Sequence, residues 1–309
     1  MDNNTKEKNF ISAVVYCYND ANLITDFIQG LHHTLTETFL KFEIIVVNDC
    51  SSDGSVEKVK QYAAHKEGLV ISVINMSYFQ GLENAMNAGI NLAIGDFVYE
   101  FDSVVRDYDW SLLKLVYQKS LTGFDIVAAR QNKKPRFAAR LFYKIFNRYA
   151  HLQYEIGTDS FRLLSRRAIN RIHSITQSIP FRKAAYANSG LDFWAISYTP
   201  IAKVPRKHRP DNMGIAVNSL VLFTDIAYRI TVGLSLLMLC LSAGIAAYAL
   251  VYKFFENPVE GWATTVIFLS LGFSGLFVIL AMVLKYLQLL VRLNFKKKEF
   301  LFESIQKLQ

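Results

Sequence analysis

Three polar clusters in this sequence could do chemistry: Tyr18-Asn19-Asp20, Asn48-Asp49-Cys50-Ser51-Ser52-Asp53-Gly54, and Asp102-Ser103, each directly after a short apolar run. Amides and carboxylates at the end of a strand can hold a nucleoside by accepting hydrogen bonds from its base and ribose, and Asn48, Asp49 and Asp53 meet that description. The same Asp-x-Ser-Ser-Asp-Gly string also reads as a loop and helix cap, with Ser52 or Asp53 satisfying free N–H groups of the next helix. We weigh Asp53 toward capping and Asp49 toward ligand. A carboxylate such as Asp102 can hold a divalent cation that neutralises the diphosphate of a nucleotide sugar and stabilises the leaving group. A lone Asp at a strand end is equally a turn former.

The elements that must position these clusters follow from the apolar pattern. Ile11 to Tyr16, Phe42 to Val47, Leu69 to Ile74, Asp96 to Phe101 and Asp125 to Ala129 read as buried strands. Asn22 to Thr38, Ser55 to His65 and Gly81 to Ala93 carry apolar residues at three- and four-residue spacing, as helices on a parallel sheet do. This alternation predicts a doubly wound α/β domain, in which ligands bind at the carboxyl ends of the strands. All three clusters fall there.

A composition that is 52% hydrophobic and 19% charged excludes a disordered or fibrous chain. The apolar excess is concentrated in Ile230 to Tyr252 and Gly261 to Leu284, each long enough to cross a bilayer as a helix. Lys203, Arg206, Lys207, Arg209 and Arg229 precede the first stretch, and Lys285, Arg292, Lys296, Lys297 and Lys298 follow the second. The positive-inside rule then predicts both termini on the cytoplasmic side of the inner membrane. No signal peptide is expected from the polar N-terminus. Phe137 to Tyr149, with Arg140, Lys144 and Arg148, reads as a basic amphipathic helix on a membrane surface or as a solvated face. Ser219 to Tyr228 could be an interfacial helix leading into the first span.

The net charge of +8 suits anionic lipid or phosphorylated substrates better than nucleic acid once the membrane stretches are considered. No GxGxxG or P-loop follows a strand, and the six histidines show no ligand spacing. The three cysteines, without CxxC spacing, fit a reduced compartment. Gly233, Ser242, Ala243, Gly244 and Ala247 permit close helix contacts, which leaves a homo-oligomer open.

In order and motif, nearly the whole chain resembles family 2 glycosyltransferases of the GT-A fold, and more closely the polyprenyl-phosphate glycosyltransferases related to dolichyl-phosphate mannose synthase and the bactoprenol glucosyltransferases. Val14-Val15-Tyr16-Cys17-Tyr18-Asn19-Asp20 stands where the family has V-V-P-x-Y-N-E, with Tyr16 for Pro and Asp20 for Glu. Val46 to Ser55 is similar to its V-D-D-G-S-x-D-G-T loop, and Gly81 to Gly89 to the helix that leads into the metal-site strand. Asp102-Ser103-Val104 replaces the family's D-x-D, so the second carboxylate is absent; Asp107 and Asp109 are substitutes or surface-loop residues. Thr158-Asp159-Ser160-Phe161-Arg162-Leu163 resembles the acceptor-side segment T-S-G-F-R-L or G-D-F-R-L. Asp159 is there a candidate for orienting the acceptor, or a helix cap.

The resemblance implies an inverting transferase that moves a sugar from a nucleotide-sugar, a UDP-sugar by preference, to undecaprenyl or another polyprenyl phosphate. Tyr18, Asn19, Asp20, Asn48, Asp49, Asp102 and Ser103 would bind the donor, with Mg²⁺ or Mn²⁺ at Asp102. Arg136, Arg140 and Arg162 would grip the lipid phosphate, and Asp102, Asp159 and Arg162 form the candidate catalytic set. The expected organisation is a cytoplasmic domain over 1–215, a juxtamembrane helix over 216–229, spans over 230–252 and 261–284, and a cytoplasmic basic tail over 285–309. Competing readings are a relative that uses a lipid-linked saccharide or other hydroxyl acceptor, and a non-catalytic relative that has lost metal binding.

Overall fold

The computed structural model describes residues 6–66, 68–133, 137–150, 152–175, 181–201, 220, 224, 226–255, 261–294 and 302–308. The chain divides into two compact units, Met1–Ile215 with Lys296–Gln309, and Ala216–Phe295. In the first unit, β1 (Ile11–Cys17), β2 (Phe42–Asn48), β3 (Ile71–Met76) and β4 (Phe97–Phe101) alternate with α1 (Ile24–Thr38), α2 (Ser55–Ala64) and α3 (Gly81–Leu92). After α4 (Ser111–Ser120) come β5 (Ile126–Gln131), α5 (Phe137–Tyr149), β6 (Asp159–Ser165), α6 (Arg166–Ile175), α7 (Arg182–Ala187) and β7 (Phe193–Tyr198).

The strands form one mixed sheet in the order β7-β5-β6-β4-β1-β2-β3-β8, where β8 is Phe302–Leu308. From β1 the chain moves outward through β2 and β3, then returns to place β4 on the other side of β1, all four parallel. That reversal makes the β1/β4 boundary a topological switch point, where an open α/β sheet binds its ligand. Strand β6 runs antiparallel between β4 and β5.

Successive side chains of the buried strands feed opposite cores. Ile11, Ala13, Val15, Ile44 and Val46 pack under α1 and α4, whereas Val14, Tyr16, Ile45 and Val47 pack under α3. Helix α3 lies very close to the sheet: a Cβ on Gly89 would stand 2.4 Å from Val14 Cγ1 and 2.6 Å from Val47 Cγ2. Gly89 is therefore fixed by packing. The sequence expectation of an α/β domain with helices on both faces holds, whereas the sheet is mixed, with β6 and β8 antiparallel to their neighbours.

The segment 285–309 differs from the expected basic tail. It carries the end of a helix, and Phe302–Leu308 returns to pair antiparallel with β3. Its half-buried residues Ser304, Gln306 and Leu308 alternate with exposed Glu303, Ile305 and Lys307. This alternation is too short and too polar to stand out among the flanking lysines.

In the second unit, α8 (Ile226–Phe255) and α9 (Trp262–Asn294) are apolar around most of their circumference. Arg229–Tyr252 and Thr264–Leu287 are long and apolar enough to cross a membrane. Leu236, Leu237, Phe268 and Leu276 are exposed, the pattern of a surface that bilayer hydrocarbon would cover. Most of the expected juxtamembrane helix, and the basic segment Arg206 to Arg209, lie outside the described residues.

Candidate active site

The loops after β1 and β2 meet at the switch point and lock each other. Asn19 and Cys50 both adopt the left-handed region, with φ of 52° and 61°. The backbone N–H of Asn19 donates to Ser51 Oγ at 3.0 Å, and the N–H of Ser52 donates to Asn19 Oδ1 at 2.8 Å. Asn tolerates this conformation because its short side chain bonds locally; Cys gains nothing comparable. Asp53 accepts from the N–H groups of Ala21, at 2.8 Å, and Ser55, at 3.2 Å. Partial burial pushes its carboxyl up, but the Ser55 hydroxyl and these N–H groups outweigh that and leave it below its ordinary range. Asp53 thus holds the β1 loop as well as the turn into α2.

Asp49 is fully buried. Its Oδ1 accepts from the N–H of Gln80 at 2.8 Å, and its Oδ2 accepts from the N–H of Gly81 and the Tyr16 hydroxyl, both at 2.9 Å. Tyr16, in place of the family's Pro, therefore anchors the carboxylate that fixes the start of α3. Asn48 donates from Nδ2 to Asn75 Oδ1 at 3.0 Å, and Asn75 donates from Nδ2 to Ser304 Oγ of β8 at 3.1 Å. Asp20 accepts from the N–H of Tyr18 at 3.2 Å. Ser103 accepts from the N–H of Val105 at 3.1 Å in a tight turn.

The charged centre is built on β4 and its neighbours. Glu100 and Asp102 are two residues apart and so share one side of the strand. Arg162 of β6 stands in register opposite Glu100. Its Nη1 lies 3.3 Å from Glu100 Oε2 and its Nη2 donates to Asp102 Oδ2. Arg182, at the start of α7, reaches the same carboxylates: Nη2 donates to Asp102 Oδ1 at 2.5 Å, Nε lies 3.4 Å from Glu100 Oε1, and Nη1 lies 2.9 Å from Glu83 Oε2. The Tyr186 hydroxyl donates to Glu100 Oε1. Both arginine side chains are 1–2% exposed, Glu100 is 0% and Asp102 is 17% exposed, so Asp102 is where this group meets the outside. Burial pushes the Asp102 carboxyl up, but Arg162, Arg182 and Lys183 outweigh it and hold it well below the usual carboxylate range.

A second group adjoins the first. Asp159, at the start of β6, pairs in register with Arg130 of β5, whose Nε donates to Oδ1 at 3.0 Å. Arg162 Nε and Lys183 Nζ each lie 4.0 Å from Asp159 Oδ2. Three cations thus surround one carboxylate. Asp159 begins a strand, which sets aside its reading as a helix cap.

Of the expected catalytic residues, Asp102, Arg162 and Asp159 come together. Arg140 lies on the exposed side of α5 among Phe137, Leu141, Lys144, Arg148 and Tyr149; Arg136 is outside the described residues. Sequence reasoning missed Glu83, Glu100, Arg130, Arg182, Lys183 and Tyr186. Glu100 carried a usable signal, since a carboxylate inside an apolar strand demands a partner. Arg130 carried another, as a cation at the end of a strand. Nothing local marked Arg182.

The expected cation at Asp102 does not fit these residues. Each Asp102 oxygen is already engaged by a guanidinium. Val104, in the position of the second carboxylate, is 3% exposed within the core. Asp107 accepts from Tyr198 Oη at 2.5 Å and from Gln131, while Asp109 accepts from the N–H of Ser111 at 2.9 Å in the turn into α4. Among the described residues, no three His, Cys, Asp or Glu side chains gather as a metal-holding group.

Sheet order, switch-point loops and a strand-end Asp102 define a GT-A glycosyltransferase. Residues 12–173, just over half the chain, match the family described as Glycosyl transferase family 2, and the chain belongs to that family. It is 29% identical over 184 residues to an uncharacterised glycosyltransferase of Synechocystis sp., covering 57% of each chain. It is 24% identical over 281 residues to the bactoprenol glucosyl transferase of Shigella phage SfV, covering 86% of this chain and 88% of that one. Among solved structures it is similar to a mannosyltransferase from Pyrobaculum calidifontis in complex with GDP-Man and Mn²⁺, with 15% identity, a TM-score of 0.48, and coverage of 92% of this chain and 84% of that chain.

Proposed function

We propose that this glycosyltransferase moves a sugar from a nucleotide-sugar to a polyprenyl phosphate at a membrane surface. The observation that carries the reading is the pair of partly exposed cations, Arg130 and Lys183, that flank Asp159 beside Asp102. Accessible cations at that point favour an anionic acceptor over a neutral hydroxyl. The bactoprenol glucosyl transferase relative, aligned over most of both chains, supports the same acceptor class.

A phosphate monoester carries its second negative charge near neutral pH, with a pKa of about 6, so its oxygen needs no strong general base. As that oxygen bonds to the anomeric carbon, the bond to the diphosphate breaks and its electron pair leaves with the nucleoside diphosphate. Displacement from the opposite side inverts the anomeric centre. The protein must align the two anions. In this reading Asp20 and Asn48 hold the nucleoside from the strand ends, and Asp49 acts from below by fixing Gln80 and Gly81. Asp102 faces the sugar.

The exposed side of α5 combines apolar Phe137, Leu141 and Tyr149 with Arg140, Lys144 and Arg148, a composition suited to an anionic lipid surface. Strand β8 rejoins the sheet after α8 and α9. Two crossings would return the chain to the side it left, in keeping with a catalytic unit and C-terminus that both face the cytoplasm.

The test is transfer of label from a panel of UDP- and GDP-sugars into organic-extractable lipid by the detergent-purified full chain with undecaprenyl phosphate. Incorporation from one donor supports the reading. Transfer only to a hydroxyl-bearing acceptor would overturn it.

A further inference from the structure

We infer that this enzyme handles its donor diphosphate without a divalent cation, because Arg162 and Arg182 already engage both oxygens of Asp102, where such a cation would be held. The inference rests on the nucleotide-sugar reading above and adds to it that no protein-held metal ion is needed at the leaving group.

Charge matching carries the argument. A carboxylate pair recruits Mg²⁺ or Mn²⁺ because its negative charge is unmatched and its oxygens are open. Here Glu83, Glu100, Asp102 and Asp159 are matched by Arg130, Arg162, Arg182 and Lys183 within 4.0 Å or less. A dication placed at Asp102 would displace a guanidinium from a buried pair and then face it as a like charge, both costly where water does not screen. Val104 offers no second oxygen, and an Asp there would enter the apolar core. The guanidiniums are themselves fixed from behind by Glu100 and Glu83, and the Tyr186 hydroxyl in turn holds Glu100. Arg162 Nε and Nη1 and Arg182 Nε make no hydrogen bond among the described residues, so both groups are held there by ion pairing.

The experiment uses the full chain in detergent, treated with EDTA and dialysed. Binding of UDP, GDP and the corresponding sugars is measured by calorimetry in EDTA and again with Mg²⁺ or Mn²⁺, and free Mn²⁺ is followed by electron paramagnetic resonance with and without protein. We expect affinity for the preferred nucleotide to change by no more than about threefold between conditions, and no protein-dependent loss of the free Mn²⁺ signal beyond that caused by the nucleotide. Sugar transfer should persist in EDTA. Nucleotide binding weakened by about tenfold or more in EDTA, or a protein-bound Mn²⁺ signal, overturns the inference while leaving the donor reading intact. If no nucleotide or nucleotide-sugar binds under any condition, the donor reading fails and the inference falls with it.

Discussion

Arg162 bridges two carboxylates from different strands: its Nη2 bonds Asp102 at the end of β4, and its Nε lies 4.0 Å from Asp159 at the start of β6. One buried guanidinium therefore ties Asp102 to the cations around Asp159, the two ends of the proposed site. Neither end of the proposed site can shift without disturbing the other, which is the preorganisation that alignment of two anions requires.

The acid response of the protein should expose this arrangement. Asp102 is held below its ordinary range, first against burial and then by Arg162, Arg182 and Lys183. A carboxyl depressed on folding contributes stability that is complete above the unfolded value, about 3.9, and is lost as pH falls through the folded value. We expect the thermal midpoint of the full chain in detergent to carry an Asp102 contribution that is constant from pH 7 to about 5 and declines below about 4. In Asp102→Asn the midpoint should be lower at neutral pH and the acid decline shallower. An unchanged acid slope in the variant would contradict the assignment.

Glu100 is the keystone of the buried charges, with Arg162 and Arg182 on its two oxygens and Tyr186 donating to one of them. Removing one partner of a buried pair leaves uncompensated charge and costs about 3–5 kcal/mol. Glu100→Gln keeps the shape and should lose about 3 kcal/mol in urea unfolding, against about 2 for Tyr186→Phe, which removes only a hydrogen bond to a charged group. The double variant should lose less than the sum. Full additivity would mean that the two side chains act independently.

How much of this could be read from the sequence depended on whether the signal was local. Strands β1 to β5 and helices α1 to α3 were legible because their apolar periods lie within single segments, and the loops at Asn19 and Asp49 because polar clusters followed those strands. Arg182 was not legible: its partners Glu83, Glu100 and Asp102 come from other elements, and only the packed sheet brings them together. Asp49 and Asp53 look alike in sequence, and only the position of the backbone N–H groups at the start of α3 and in the loop after β1 separates their tasks. Val104 was visible as a departure from D-x-D, but its meaning came from the two guanidiniums already on Asp102.

Cys50 occupies a position where the resemblance to V-D-D-G-S places glycine, and its φ of 61° supplies the reason. A non-glycine residue in the left-handed region costs roughly 1–2 kcal/mol, part of which glycine returns through the greater entropy of its unfolded chain. Cys50→Gly should therefore raise stability by about 1 kcal/mol without weakening nucleotide binding. Its exposed thiol forms no disulfide, so no covalent link is sacrificed. A destabilised variant would mean that the thiol has a contact that outweighs the strain.

Strand β8 gives a last test, because it covers an edge that would otherwise be open. It pairs antiparallel with β3 from Ile71 to Met76, places Leu308 against the core, and brings Ser304 to Asn75, which in turn holds Asn48 at the end of β2. An uncovered apolar edge strand is a template for pairing with another chain. Deleting 302–309 should lower the thermal midpoint and produce concentration-dependent association in size-exclusion chromatography with light scattering. Ser304→Ala, which keeps the backbone ladder, should cost only about 1 kcal/mol and leave the protein's association state unchanged. If the truncated chain matches the full chain in both stability and association, β8 is dispensable and Asn48 owes its placement to the β2 loop alone.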